Sequence, residues 1–358
     1  MEPTAATCTQ AGNIEYYYCN RCDKYFSDIE GLHEITAGST IIAPLDHSWG
    51  EWVTDKAAAC EEDGLRHRTC ERCDARQEET IAATGHSYNS TTHVCSVCGD
   101  IEETQNLTFA VASPQVYPGG SYVLTSTGSN KGEVVLPATY NGKPVTGIAS
   151  GAVLSGVTSV QIPNTQTFYI YGGALADTVS RINYLGDING WAQLYFESGW
   201  AQGKYTLYIL SDSSFAAAKD VTITCNYVAT YAFENNAGLG AVTLSGVDRV
   251  EQFAFAQSSV ISFNSGGISA LGYGAFAGCD KLASADLSSS SIAAINAMTF
   301  SGCKLSELKL PATLTSVAAS AVPVQPAKLT FAGTSEQWSS VTIGAGNALE
   351  NAICEVGA

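Results

Sequence analysis

The residues able to do chemistry are concentrated at one end of this 358-residue chain, where all five histidines and eight of the twelve cysteines precede residue 99. They recur in a pattern. Ala6-Thr7-Cys8-Thr9-Gln10-Ala11-Gly12 resembles Ala58-Ala59-Cys60-Glu61-Glu62-Asp63-Gly64, and each is followed by a Cys-x-x-Cys, Cys19/Cys22 and Cys70/Cys73. Each copy then reaches a His-Ser-aromatic run, His47-Ser48-Trp49 and His86-Ser87-Tyr88, the first after extra residues from Asp23 to Asp46. A shortened third copy ends at Cys95-Ser96-Val97-Cys98-Gly99. Three cysteines cannot all pair within one unit, but three thiolates and one imidazole complete a tetrahedral zinc site. The spacing therefore predicts structural zinc on Cys8, Cys19, Cys22 and His47, and again on Cys60, Cys70, Cys73 and His86. A ribbon of Cys70, Cys73, Cys95 and Cys98 competes with this pairing. So does an arrangement in which His47 or His86 opens a unit rather than closing one, and so do disulfides in an oxidising exterior. His93 with His86, Cys95 and Cys98 would make a third site.

Other reactive patterns carry less. His33 and His67 lie off the repeat and are expected at the surface. Arg66, His67, Arg68, Arg72 and Arg76 form the one basic cluster, but Glu61, Glu62, Asp63, Glu71 and Asp74 flank it, which reads as a solvated strand face. Catalytic zinc needs an open coordination position and a nearby base, and no His-Glu-x-x-His is present. Ser301-x-x-Lys304 matches a β-lactamase-like motif, yet the same slot one repeat earlier reads Ala277-Gly278-Cys279-Asp280. Gly272-x-Gly274-x-x-Ala277 lacks the βαβ setting that a dinucleotide site requires. Leu136-Pro137-Ala138-Thr139 and Leu310-Pro311-Ala312-Thr313 resemble a wall-sorting signal without its following glycine. No histidine follows residue 105, which excludes a Ser-His-Asp or Cys-His site there. The chain is thus expected not to be an enzyme.

The elements that position these residues fall into two kinds. Residues 1–105 hold 7 Lys/Arg against 19 Asp/Glu, whereas residues 106–358 hold 10 against 15. The change places a boundary near Gln105, with modules at 1–52 and 53–105, an N-terminal β cap at 106–135 and a repeat region at 136–358. Gln105 to Leu107 is too short for a flexible linker. A net charge of −17 argues against a nucleic-acid or polybasic membrane-surface protein. No run approaches the roughly 18 apolar residues that span a bilayer. Met1-Glu2-Pro3-Thr4 reads as a trimmed start, so any export signal is expected outside this sequence. Modules of about 40 residues bury too little surface to fold unaided, which is why metal or disulfides are needed.

Beyond residue 134 a strand pattern, apolar-x-x-apolar-x-apolar, recurs at Val157/Val160/Ile162, Val179/Ile182/Tyr184, Leu239/Val242/Leu244, Leu282/Ala285/Leu287 and Leu305/Leu308/Leu310. Weaker copies end at Ile223, Phe263 and Phe331. A period near 22 lies in the leucine-rich-repeat range. A second mark keeps the same period: Ala232-Phe233, Ala254-Phe255, Ala275-Phe276 and Thr299-Phe300, with Ala152-Val153, Ala174-Leu175 and Ala321-Val322 in the same slot. The small residue lets coils approach, and the large one fills the core between them. Cys279 and Cys303 are expected as buried, reduced thiols. The fold expected is a β-rich leucine-rich-repeat solenoid, α/β horseshoe-like with short helical or 3-10 turns on its convex side, preceded by small Cys/His β modules. Leu107–Leu136 should cap one end and Leu329–Glu355 the other.

The residue between the last two apolar positions should face out along one extended face. It is Gln161, Asn183, Thr222, Thr243, Ser262, Asp286, Lys309 and Thr330, with Ser159, Arg181, Asp220, Ala241, Val260, Ser284, Glu307 and Lys328 two positions earlier. The stripe is polar and small, fit for a broad contact surface or merely a solvated sheet. Trp191, Trp200 and Trp338 are expected to pack insert loops.

Asn141-Gly142-Lys143-Pro144-Val145-Thr146-Gly147-Ile148 resembles the opening of BspA-type leucine-rich repeat domains. The Ala-Phe-x-x-Cys steps are similar to that family's repeat, as is Leu185-Gly186-Asp187-Ile188-Asn189-Gly190-Trp191, which recurs as Phe331-Ala332-Gly333-Thr334-Ser335-Glu336-Gln337-Trp338. The resemblance spans roughly residues 120–356, with an insert replacing a regular coil between 186 and 220. The Cys/His array looks like modules found beside such repeats in secreted proteins of anaerobic bacteria. The resemblance implies a non-catalytic, secreted or cell-surface interaction or adhesion protein, a monomer, whose partner is a protein or glycan on another cell or host surface. The competing expectation is a spacer or accessory region of a larger exported protein.

Overall fold

The computed structural model describes residues 1–113, 120–165 and 167–349, and the backbone of Ile353–Cys354. By packing, the chain divides into two units: Met1–Ser87 with Ser96–Cys98, and Tyr88–Cys95 with Gly99–Ala358.

The first unit is built from short antiparallel strands. Val53–Lys56, Gly64–Thr69 and Arg76–Ile81 form one three-stranded sheet, and Tyr17–Cys19, Lys24–Phe26 and Glu34–Ile35 form another. Gly12–Asn13, which pairs with Ile41–Ile42 apart from these sheets, repeats the plan of Gly64–Leu65. Thr4 bridges Asn13 as Lys56 pairs with Leu65, each one residue after a buried glycine. That glycine is dictated by close approach. A Cβ on Gly64 would lie 2.5 Å from the Ala58 nitrogen and 2.6 Å from the Lys56 carbonyl, and one on Gly12 would strike the matching backbone atoms of Ala6 and Thr4. The strands carry almost no apolar core. Among the described residues of this unit, the buried hydrophobic side chains are Cys8, Cys60 and Cys70, while Ile14, Ile29, Leu32, Ile41, Leu45 and Val53 are exposed. The basic cluster is a strand face, as its flanking acids suggested. Arg66 and Arg68 lie over the Trp52 ring at 4.6 and 4.8 Å, and Arg66 pairs with Glu79 at 3.0 Å.

The second unit is a β-solenoid of stacked parallel strands. One column runs Gly132–Val135, Val157–Ile162, Arg181–Tyr184 and Thr206–Ser211. Another runs Val221–Ile223, Ala241–Leu244, Ser262–Asn264, Ser284–Asp286, Glu307–Leu310, Lys328–Phe331 and Ile353–Cys354. Two-residue strands such as Arg249–Val250 and Ala270–Leu271 stack alongside. Thr108–Val111 pairs antiparallel with Tyr122–Ser126 at the N-terminal end, where the expected cap residues 114–119 lie outside the described residues. At the other end the same holds of 350–352 and 355.

The Ala-Phe step builds the core. Phe233, Phe255, Phe276 and Phe300 are buried and stack one per coil at 5.1, 5.2 and 5.7 Å, with planes within 3–4° of parallel. The buried Cys279 thiol donates to the Phe255 carbonyl at 3.0 Å and that of Cys303 to the Phe276 carbonyl at 3.2 Å. Burial pushes the Cys279 thiol up to about 11 and that of Cys303 higher still, so both stay protonated.

Two expectations are corrected. The convex side carries turns rather than helices. Before each Ala slot the backbone enters the left-handed region, at Gly173, Tyr231, Phe253, Gly274, Met298 and Ser320, with φ between 55° and 67°. One left-handed residue per turn stops a right-handed helix from propagating. The second unit's helices among the described residues are Ile188–Ala192, capped by Asp187, and Ser335–Ser339, capped by Thr334. These are the two segments whose sequences resemble each other. Trp191 and Trp200 are buried, with their indole N–H groups on the carbonyls of Ala232 and Tyr231, and Trp338 packs on Phe331.

The second correction is one of register. Phe263 aligns with Val242 and Ala285, so it fills the second apolar position of its strand and not the third. Ser265 follows at the third position, buried, with its hydroxyl on the Gly266 carbonyl at 3.1 Å. The displacement is two residues, so inward and outward faces are kept and the outward position moves two places along the strand. Asn264 therefore occupies the outward stripe, and Ser262 aligns with Ala241 and Ser284.

Candidate functional site

The four atoms Cys8 Sγ, His47 N, Cys70 Sγ and Cys73 Sγ lie within 4.8 Å of one another. Backbone pairing brings them there. Trp49 bridges Cys70, the Gly50 N–H donates to Thr69 and the Glu71 N–H to Ser48, so the His47 run lies along the strand that ends in Cys70. Leu45 N–H donates to the Thr7 carbonyl at 3.0 Å, which ties the Cys8 loop to the same segment, and the Arg72 guanidinium clamps the Leu45 carbonyl at 2.8 Å. Cys8 and Cys70 sulfurs stand 3.7 Å apart, and Cys73 Sγ is 3.4 Å from His47 Nδ1.

The electrostatics of the group split its thiols. Burial, reinforced by hydrogen bonding with Cys73 and Cys70, pushes Cys8 up to about 11. Burial also pushes Cys70 up, but the Arg72 N–H, His47, Cys73 and the Ser48 backbone outweigh it and bring the thiol down to about 6. One thiolate is thus favoured near neutral pH, and the arrangement can hold a cation among three sulfurs and an imidazole. The same set recurs as Cys60, His86, Cys95 and Cys98, where Cys98 Sγ is 3.3 Å from His86 Nδ1. The other ring nitrogen of His86 faces Glu61 Oε1 at 3.1 Å, the outer contact that orients a ligating imidazole.

Each group therefore joins the Cys and His of one copy to the Cys-x-x-Cys of the next. The histidine stands with the Cys-x-x-Cys that follows it, as where it opens a unit, but the third cysteine comes from before the histidine, Cys8 rather than Cys60. Cys19 and Cys22 do not join Cys8 and His47, and Cys70 and Cys73 do not meet Cys95 and Cys98. No disulfide joins the described cysteines. His93 faces Glu102 at 3.3 Å and Glu133 at 3.7 Å instead of the cysteines. His33 is exposed beside Asp28, whereas His67 is largely covered and sits 2.6 Å from Asp55.

The strand face divides in two. Gln161 and Asn183, expected outside, are buried. Gln161 Nε2 donates to the Thr92 carbonyl at 2.7 Å, because residues of the Tyr88–Cys95 segment cover this part of the sheet. Asn183 donates to Glu133 at 3.1 Å and accepts from Arg181, which lies 3.7 Å over the Tyr208 ring. Thr330 is buried too, as are Ser159 and Val260 among the neighbours two positions earlier. Thr222 is exposed. Thr243, Ser262, Asp286 and Lys309 line a shallow groove of about 220 Å³ together with Asn264, Ser284 and Glu307. Lys309 pairs with Asp286 at 2.9 Å, and Lys328 with Glu307 at 2.9 Å. Ser288 and Lys309 hold the Asp286 carboxyl below its ordinary range against the opposing effect of burial.

A second surface was hidden in the sequence. Residues at the left-handed slot, together with Tyr273 one position before it, stack outside the coils: Tyr231 on Phe253 at 5.4 Å, Phe253 against Tyr273 at 5.3 Å, and the Tyr273 hydroxyl on the Met298 sulfur. Tyr231, Phe253 and Met298 line an open groove of about 510 Å³ with Glu234, Gln257 and Ser301. Only the backbone conformation aligns these dissimilar side chains.

Comparison with known proteins matches residues 210–322 to the BspA type leucine rich repeat region, in six copies. No curated protein matches the chain. Among solved structures, a leucine rich cell surface protein from Faecalibacterium prausnitzii A2-165 is similar at 14% identity, covering 69% of this chain and 97% of that one, with a TM-score of 0.26. The T. pallidum leucine rich repeat protein is similar at 15% identity, over 71% and 86%, with a TM-score of 0.20. At such scores the likeness does not extend to the course of the whole chain. Among the described residues, no helix is long and apolar enough to cross a membrane.

Proposed function

We propose that this chain is a non-catalytic, secreted or cell-surface interaction protein that binds a protein or glycan through its solenoid and uses zinc to hold its Cys/His modules. The observation that carries the binding reading is the polar groove across four successive strands, from Thr243 to Lys309, in the region that matches the BspA type repeats. Parallel stacking sets like positions side by side at the strand spacing, which suits a repeating or extended ligand. The name of the Faecalibacterium protein agrees with a surface location.

Zinc is supported by ligand chemistry and spacing. A tetrahedron with Zn–S bonds of about 2.3 Å has edges of about 3.8 Å, and the Cys8–Cys70 separation of 3.7 Å is that of such an edge. Binding would replace the thiol protons and take over the work of a core in a unit whose buried side chains are mainly thiols.

The test is binding of purified chain to arrays of cell-surface glycans and to extracellular proteins, alongside Thr243→Arg/Lys309→Glu. Saturable binding that the double variant loses at least tenfold supports the reading. Equal binding by both proteins would move the contact off this face. No binding at all would favour a spacer, a reading supported by Asp286–Lys309 and Glu307–Lys328 pairing within the face. Metal analysis should return at least two zincs per chain, those of the two Cys/His groups.

A further inference from the structure

Cys19 and Cys22 are left over once the two Cys/His groups are assembled, and their geometry is that of the knuckles that do gather ligands. Cys70 directly follows the strand that ends at Thr69, its N–H donates to the Ala75 carbonyl across the turn, and the Arg72 N–H points at Cys70 Sγ from 3.4 Å. Cys19 itself ends Tyr17–Cys19 and pairs with Lys24 across the turn, with the N–H groups of Arg21 and Cys22 directed at its sulfur. Cys19 is half-buried and Cys22 exposed.

The structure also shows what closes such a knuckle. The pair Cys70/Cys73 receives a thiol and an imidazole from the preceding copy, Cys8 and His47, and Cys95/Cys98 receives Cys60 and His86. Both donor pairs are thereby used. Three knuckles and two donor pairs leave one knuckle open.

We propose that Cys19 and Cys22 form the accepting half of a further metal site, completed by one cysteine and one histidine from another module of this pattern. The inference rests on the zinc reading of the two assembled groups. A divalent ion on Cys19 and Cys22 displaces two thiol protons to solvent and keeps two coordination positions open until the donor pair arrives. Modules would thus be joined by the metal itself, in a fixed polarity: each offers thiol and imidazole on one side and two thiols on the other. Since both pairs of this chain are taken, the donor is a module of this pattern with an unused thiol and imidazole on a different chain or segment.

The experiment is a cobalt(II) titration of the reduced, metal-stripped full chain, followed by optical spectra, thiol alkylation and sedimentation. Three equivalents are expected. Cys19→Ser/Cys22→Ser should lose the third and keep the first two. Added imidazole and 2-mercaptoethanol should strengthen the tetrahedral absorption of the third ion only. A third equivalent held by a monomer, with positions open to the added ligands, supports the proposal, whereas one accompanied by dimers would mean that a copy gives up a pair from its own groups and would overturn it. Two equivalents only, with Cys19 and Cys22 alkylated equally at every cobalt concentration, would overturn the proposal. So would two and a half equivalents in a dimer, which would mean knuckle facing knuckle. If the zinc reading itself were wrong, Cys8, Cys70 and Cys73 would also stay open to alkylation and no tight equivalent would appear.

Discussion

The two units solve the same problem with opposite means. Each is made of pieces too small to bury a core alone. In the solenoid the piece is one coil, and Phe255 or Phe276 is covered only because the next coil supplies another ring. In the Cys/His unit the piece is one small sheet, and its interior is Cys8, Cys60 and Cys70 while its isoleucines and leucines stay in water. Stacking yields stability that grows with every coil and is shared by all. The proposed zinc would locate stability at one point, lost at once when the ion or a ligand goes. In both, the partner that completes a piece is the adjacent copy, not the piece itself.

The sharpest way to break this comparison is to withdraw the proposed zinc. Chelation, or Cys70→Ser, should abolish amide protection across Met1–Ser87 and leave that of the coils unchanged, since structural zinc supplies on the order of 10 kcal/mol to modules of this kind. Protection in the first unit that survives chelation would show that its strands hold themselves. Phe276→Ala should act in the mirror sense. Removing a ring from the middle of the stack should cost about 3–5 kcal/mol in denaturant unfolding of the coils, without changing metal content. A loss under about 1 kcal/mol would mean that the ladder is not the core's main support.

Gly272→Ala probes how closely coils approach. A Cβ there would strike the backbone of Glu251 and Gln252 in the previous coil, and backbone cannot rotate away. The expected cost is about 1–3 kcal/mol. Gly267→Ala, where a Cβ meets nothing within 4 Å, is the control and should be near neutral. The smallest effect belongs to the strand face. The Asp286 carboxyl is held below its ordinary range, so its contribution is present above the unfolded value and lost as pH falls through the folded one. Asp286→Asn should remove that part of the acid limb of the stability curve, by less than about 1 kcal/mol because both partners are about a third exposed. Acid curves that overlay would show the pair to be worth nothing.

Particular residues show where sequence was sufficient. The Ala-Phe slot sits at a constant interval because each coil must return to the same place, so the stack at Phe233, Phe255, Phe276 and Phe300 was legible in spacing alone. The strand of Ser262–Asn264 was not. Ser265 stands where its neighbours carry leucine, and without an apolar mark the register slipped by two and Ser262 took the place of Asn264. Gln161 and Asn183 look like every other outward polar residue. Only the cover laid by Thr92 and Glu133 makes them interior. The aromatic row at Tyr231, Phe253 and Met298 had no common residue type to betray it.

Composition and period by themselves determined that the chain has a thiol- and imidazole-bearing part and a coiled part, because ligand type and repeat length are one-dimensional properties. Tertiary structure alone decided which thiols share a group. Cys8 lies 11 positions from Cys19 and 62 from Cys70, and it is the distant one whose sulfur stands 3.7 Å away. Pairing between strands brings the His47 run beside Cys70, and hydrogen bonding across a sheet is indifferent to separation along the chain. The copy that looks complete in sequence is divided between two groups in space.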